Sequence, residues 1–370
     1  MSERPHLLSR KLLSWPWVGI IAGVITLLLK WIFGSNPLFT EIVYTQGLFS
    51  LLRYLWDYTI GWLPFPVLYI MLPLLIFWGI RTWWKREKKQ LVWHVRLRRV
   101  LLGFLGVVGT ILCLFYLSWG FNYDRLPIED QLSIQPDSLT MDALHQEYEL
   151  ATHELLKADS ALAPRFGAIT EDMLPDHLEK VLRETERDWL RSEGIVAPGR
   201  PRGRRFGPKG TLMQLGASGI YIPFVGEGHI DAALPPAMRP NTMAHELGHA
   251  FGFGDEGTCN FLGWMTCLQS NDPVIQYSGA LAYWRETANR LAWVERDSIL
   301  ADIEKLPIGI QADLAEIKAV RERYPGFFPQ VSTAIYDQYL QAQGIEEGML
   351  NYARVIHLAR AWRNQRLSPS

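Results

Sequence analysis

Two histidines four residues apart, with a glutamate directly after the first, form His245-Glu246-Leu247-Gly248-His249 in this 370-residue chain. These are residue types and spacings that can do chemistry together. On a helix, positions i and i+4 share a face, so both imidazoles can reach one cation. Glu246 then stands where it can take a proton from a water held at that cation. Nine histidines in 370 residues give roughly 0.2 H-x-x-x-H pairs by chance, and Glu would fill the second position in few of them. A cation that keeps one position open needs a third protein ligand. Glu256, just past a glycine turn and opening the next expected helix, is the candidate. Asn260, one turn further on, is placed to hydrogen-bond a ligand. Asp255 is the rival acid. Two imidazoles and a carboxylate suit Zn2+.

The elements that must position these residues follow from pattern. A helix is expected over 241–252, started at Asn241 or Thr242 and ended by Gly252 and Gly254. Apolar residues at helical spacing predict further helices over 140–162, 170–190, 256–270, 276–302, 308–322, 329–343 and 348–364. Residues 219–226, GIYIPFVG, are β-branched and aromatic between turn residues, and read as a strand; Pro223 puts it at a sheet edge or at a bulge. The basic stretch 198–210, PGRPRGRRFGPKG, reads as an exposed loop with a solvated charge run. Two apparent motifs fall away. G-x-G-x-x-G at 252–257 follows a helix rather than a strand, which argues against a dinucleotide site. His153-Glu154 has Lys157 where a second histidine would stand.

Ahead of all this lie three apolar stretches of about the length a bilayer requires: 15–34, 60–80 and 100–119. Trp and Tyr cluster at their ends, as interfacial anchoring predicts. Lys30 lies close enough to the end of the first to snorkel. The second holds Pro64, Pro66 and Pro73. Between the second and third, Arg81, Lys85, Arg86, Lys88, Lys89, Arg96, Arg98 and Arg99 make a basic loop; Arg4, Arg10 and Lys11 precede the first. The positive-inside rule then puts the N-terminus and the basic loop in the cytoplasm and everything after Trp119 outside. The expected partners are the lipid bilayer and a peptide or protein substrate. A net charge of −1 gives no push toward nucleic acid. Cys259 and Cys267 share an expected helix roughly 12 Å apart along its axis, beyond a disulfide's reach.

The segments GIYIPFVGEGHID, TMAHELGHAFGF, E-G-T-C-N-F-L and Tyr277-Ser278-Gly279, with WGFNY at 119–123 and NYARVIHLARAW at 351–362, resemble a family of bacterial membrane proteins known only as a domain of unknown function. Its members pair N-terminal transmembrane helices with a zincin-like, gluzincin-type site. Where that family reads E-x-E-A-N-F after HExxH, this chain keeps Glu256 and Asn260 but has Thr258 and Cys259 in place of the second Glu and the Ala. That departure favours Glu256 as ligand. Asp255 instead fits H-E-x-x-H-x-x-G-x-x-D, similar to a metzincin variant, but Met265 falls inside an expected helix where a Met-turn would be required.

The resemblance implies a mainly α architecture: a three-helix transmembrane anchor (1–121), then a mostly helical α+β zincin-like domain with a short edge strand (122–370). It implies a zinc metallopeptidase of the bacterial cytoplasmic membrane, with His245, His249 and Glu256 on Zn2+, Glu246 as the catalytic base, and Tyr277 either as a donor to the oxyanion or as a plain core aromatic. The strand over 220–225 would receive substrate as an added strand. The competing expectation is a non-catalytic, membrane-bound zinc protein acting as a sensor or binding module.

Overall fold

A computed structural model describes residues 15–84 and 92–367. Arg4, Arg10, Lys11, Lys85, Arg86, Lys88 and Lys89 of the basic segments lie outside the described residues. The described chain is mainly helical with one small sheet, and it divides into two compact units. One comprises residues up to 52, 67–125 and 223–225; the other comprises 53–66, 126–222 and 226 onward.

In the first unit, α1 (Trp15–Gly34) and α4 (Trp93–Ser118) are long and apolar enough to cross a membrane. They pack through glycines: a side chain at Gly19 would run into the Gly106 carbonyl, and a Cβ on Gly23 would lie 2.6 Å from the Gly109 Cα. Small residues let two apolar helices approach where no hydrophobic effect drives them together. Lys30 does not merely reach for an interface. It pairs with Asp124 at 2.6 Å, and Arg125 binds Glu41 with two 3.0 Å hydrogen bonds.

The second expected crossing is shorter than the sequence pattern implied. Residues 60–67 form turns, and the helix that follows, α3 (Leu68–Trp84), has 17 residues. Pro64 and Pro66 lack the N–H that a helix interior needs and push their predecessors out of the helical region. Two helices, not three, meet the length for a span among the described residues. Between α1 and α3 the chain forms a π-type helix over Thr40–Phe49 and then α2 (Ser50–Thr59).

The second unit contains α5 (Met141–Ser160), α6 (Leu178–Ser192), the sheet, two short helices at Ile128–Leu132 and Thr211–Gln214, and seven longer ones: α7 (Arg239–Ala250), α8 (Glu256–Leu268), α9 (Pro273–Leu291), α10 (Arg296–Lys305), α11 (Ile308–Arg323), α12 (Pro329–Ala342) and α13 (Arg354–Leu367). The expected 276–302 helix is thus two helices, broken at Glu295, whose backbone leaves the helical region. α7 lies between the sheet and α8, and α9 packs on α8. Leu247, Phe251, Phe261, Leu262 and Met265 fill the layer between them, all fully buried.

The sheet has the order β1-β3-β2, with β1 (Arg202–Phe206) parallel and β2 (Gly219–Ile222) antiparallel to the central β3 (Glu227–Asp231). β2 takes an edge, as its sequence predicts. β1 lies inside the stretch read as an exposed loop. Its arginines are all paired with acids: Arg204 is buried on Glu227 and Arg202 half-buried on Glu179, while Arg205 stays exposed, as the solvated reading expects, and binds Glu171.

Gly203, Gly228 and Tyr221 form one row across the sheet, and the two glycines are where α7 comes closest. A Cβ on Gly228 would lie 2.7 Å from Glu246 Cβ, and one on Gly203 would lie 2.8 Å from Met243 Cγ. Residues 53–66 brace the sheet's outer parts. Arg53 donates to the Gly226 carbonyl at 2.5 Å, and the Gly61 carbonyl accepts from Arg202 and Arg204.

Candidate metal centre

α7 carries His245 and His249 on one face, and α8 brings Glu256 to them. Among the described residues these three form the group whose ligand atoms lie close enough to hold one ion, within 4.8 Å of one another. The turn between the helices is set locally. Gly252 adopts φ +94°, a conformation that costs glycine little. The turn brings the Phe253 carbonyl to His249 Nδ1 at 2.8 Å. A carbonyl can only accept, so Nδ1 carries the proton and Nε2 is the basic nitrogen. His245 is oriented the same way: its Nδ1 lies 2.8 Å from Asn260 Oδ1, while Asn260 Nδ2 donates to the Tyr352 carbonyl at 3.0 Å and so fixes which end of the amide faces the histidine.

Both Nε2 atoms face Glu256 Oε2, at 3.2 Å from His245 and 3.4 Å from His249. Ligands about 2.0–2.1 Å from a tetrahedral zinc lie roughly 3.3 Å apart, so these separations fit the ion. Glu256 Oε2 is buried and accepts no hydrogen bond, a costly state for a carboxylate oxygen unless a cation satisfies it. Burial pushes the Glu256 pKa up, but the two adjacent imidazoles outweigh it and hold the carboxyl well below its usual range. The residues present fit a zinc ion.

Asp255 is committed elsewhere. It caps α8 by accepting from Thr258 N at 2.6 Å and pairs with Arg354 at 2.8 Å. Glu246 is buried against the sheet, with Gly219 and Gly228 making room for it. Burial raises its pKa to about 7, and its Oε2 accepts no hydrogen bond.

Tyr277 is withdrawn from the site. Its hydroxyl donates to the buried Asp313 at 2.5 Å, and Arg165 lies 4.6 Å from its ring. A proton already given to a carboxylate is not available to a reacting carbonyl. Three other tyrosines line the centre instead. Tyr221, on β2, stacks near His249 with ring centroids 6.5 Å apart. Tyr352 lies parallel to the His245 ring at 6.4 Å. Tyr336, on α12, donates its hydroxyl to Glu256 Oε1. Tyr221 and Tyr352 fall in the segments GIYIPFV and NYARV already marked by resemblance, which was the available signal. Tyr336 had none.

A mainly helical chain with apolar helices and a His-His-Glu cluster beside a small sheet is thus on view. Over residues 44–359 the chain matches the family described as a protein of unknown function, DUF3810, and it belongs to that family. No curated protein and no solved structure matches it.

Proposed function

We propose that this protein is a membrane-anchored zinc peptidase that hydrolyses peptide bonds outside the cytoplasmic membrane. The observation that carries the reading is the convergence of His245 Nε2, His249 Nε2 and Glu256 Oε2 at zinc-like spacing, with Glu246 next to it on the same helix. His245, His249 and Glu256 hold the ion. When bound, zinc supplies Lewis-acid polarisation of a water and of the scissile carbonyl. Glu246 takes the water's proton and returns it to the leaving amine. Burial pushes its pKa up to about 7 before any ion is bound, and a nearby cation would draw it back toward the ionised form that accepts the proton. β2, an edge strand beside Glu246, offers backbone groups to a peptide added in extended form, so that main-chain hydrogen bonds align the bond to be cut.

The outward location rests on α4. Arg96, Arg98 and Arg99 sit at its N-terminal end, and the positive-inside rule keeps that end in the cytoplasm. The chain after Ser118 then emerges on the far side.

One observation favours the competing reading, a zinc-containing sensor or binding module. The cluster is nearly closed: His245 is 9% exposed and Glu256 2%. Glu246→Gln separates the two. The peptidase reading expects the full-length variant to keep one zinc per chain and to lose cleavage of a peptide library by more than 100-fold. A wild-type protein with stoichiometric zinc and no cleavage would hand the case to the binding module.

A further inference from the structure

We propose that Tyr336 is a positioning residue that couples the docking of α12 to metal binding, so that the helix and the ion hold each other in place. The proposal rests on the zinc reading above and adds a regulatory link to the same site.

α12 lies largely in solvent. Thr333, Ala334, Ile335 and Gln338 are exposed, while Tyr336 and Leu340 turn inward at helical spacing and Leu340 is fully buried. The Tyr336 hydroxyl ends on Glu256 Oε1, and the other oxygen of that carboxylate faces the two histidines. One carboxylate is therefore divided between two tasks. Oε2 is left for the ion, and Oε1 is held by a helix that begins 73 residues beyond Glu256 in the chain. A carboxylate binding metal through a single oxygen swings unless its second oxygen is held, and such partners typically change metal affinity by about 10–100-fold. Tyr352 adds to the clamp, its hydroxyl interacting with both Tyr336 and Glu256. Tyr352 is fixed by its neighbours: Asn351 accepts from Gly257 N at 2.8 Å, and Arg354 pairs with Asp255. Linkage is reciprocal: if docked α12 strengthens metal binding by some factor, bound metal strengthens docking by the same factor. Loss of the ion would loosen α12, and movement of α12 would loosen the ion.

The test uses full-length protein in detergent and zinc alone as the probe. Competition against a chelator gives the zinc affinity of wild type, of Tyr336→Phe, which removes the hydroxyl and keeps the ring, and of Leu340→Ala, which weakens docking without touching the site. Both variants are expected to bind zinc about 10–100-fold more weakly. Hydrogen exchange over α12 is expected to slow when zinc is added to wild type and to respond less in Tyr336→Phe. A cobalt-loaded Tyr336→Phe protein is expected to show a shifted visible band, a signature that a merely structural tyrosine would not move. Unchanged zinc affinity in both variants, with α12 exchange indifferent to metal, would overturn the proposal. A wild-type protein that binds no zinc would instead overturn the metal reading beneath it.

Discussion

Glu186 lies behind the candidate metal centre, fully buried, and neither of its carboxylate oxygens has a hydrogen-bond partner. A Cβ on Gly248, between the two histidines, would come within 3.4 Å of its Oε1. Burial raises the Glu186 pKa well above its ordinary 4.5, so the folded protein keeps this carboxyl protonated after an unfolded chain would have released it. The unfolded state therefore binds fewer protons above pH 4.5, and stability falls as pH rises toward the folded pKa, by up to about 1.4 kcal/mol per pH unit. Glu186→Gln removes that dependence. In metal-stripped protein, the melting temperature of wild type is expected to drop more between pH 5 and pH 8 than that of the variant; parallel curves would show the carboxyl to be ionised in the fold. The candidate ligand cluster was legible because metal chemistry would fix its spacing in the chain. A shared cation asks for His245 and His249 one turn apart, and the structure brings Glu256, at the start of the following helix, to both. Tyr336 joins the same carboxylate from 80 residues away. A lone aromatic at that distance has no spacing to betray it, and Tyr277, chosen from a local likeness, proved to serve Asp313.

Among the elements, α7 and α8 were legible to within two residues, since Gly252 just beyond the first and Asp255, the N-cap of the second, mark the turn between them locally. The sheet was legible only at β2. β3 is buried on both faces, Gly228 and Ile230 on the side of α7 and Glu227, His229 and Asp231 on the other, so one of its covered faces is polar and the strand lacks the apolar side by which a half-buried strand is read. β1 is arginine-rich, and acids elsewhere in the chain neutralise it. The same sheet sets how close α7 can come. A methyl group at Gly228 would meet Glu246 Cβ at 2.7 Å and the Glu246 carbonyl at 3.0 Å, and a backbone carbonyl cannot rotate aside. Gly228→Ala is expected to cost about 1–3 kcal/mol, visible as a lower melting temperature, and to displace Glu246 so that cleavage falls while zinc remains bound. A variant with unaltered melting and cleavage would mean the sheet and α7 separate more easily than their packing implies.

At the scale of the whole molecule, composition announced apolar segments ahead of a polar remainder, and prolines then decided how many of them reach spanning length. Reporter fusions placed after Tyr123 test the orientation drawn from Arg96, Arg98 and Arg99. An export-dependent phosphatase is expected to be active there and a cytoplasm-dependent fluorophore dark, and the reverse pattern would put the candidate metal centre inside the cell. The division of the chain was not legible, because residues 53–66 lie among the apolar segments yet belong with the unit that holds His245, His249 and Glu256. The Gly61 carbonyl precedes its partner Arg202 by 141 residues. On a ribosome adding about 5–20 residues per second, that is a delay of roughly 7 to 28 s. The nascent chain must therefore keep an early segment waiting, its carbonyl without a mate, until a strand not yet translated arrives to claim it.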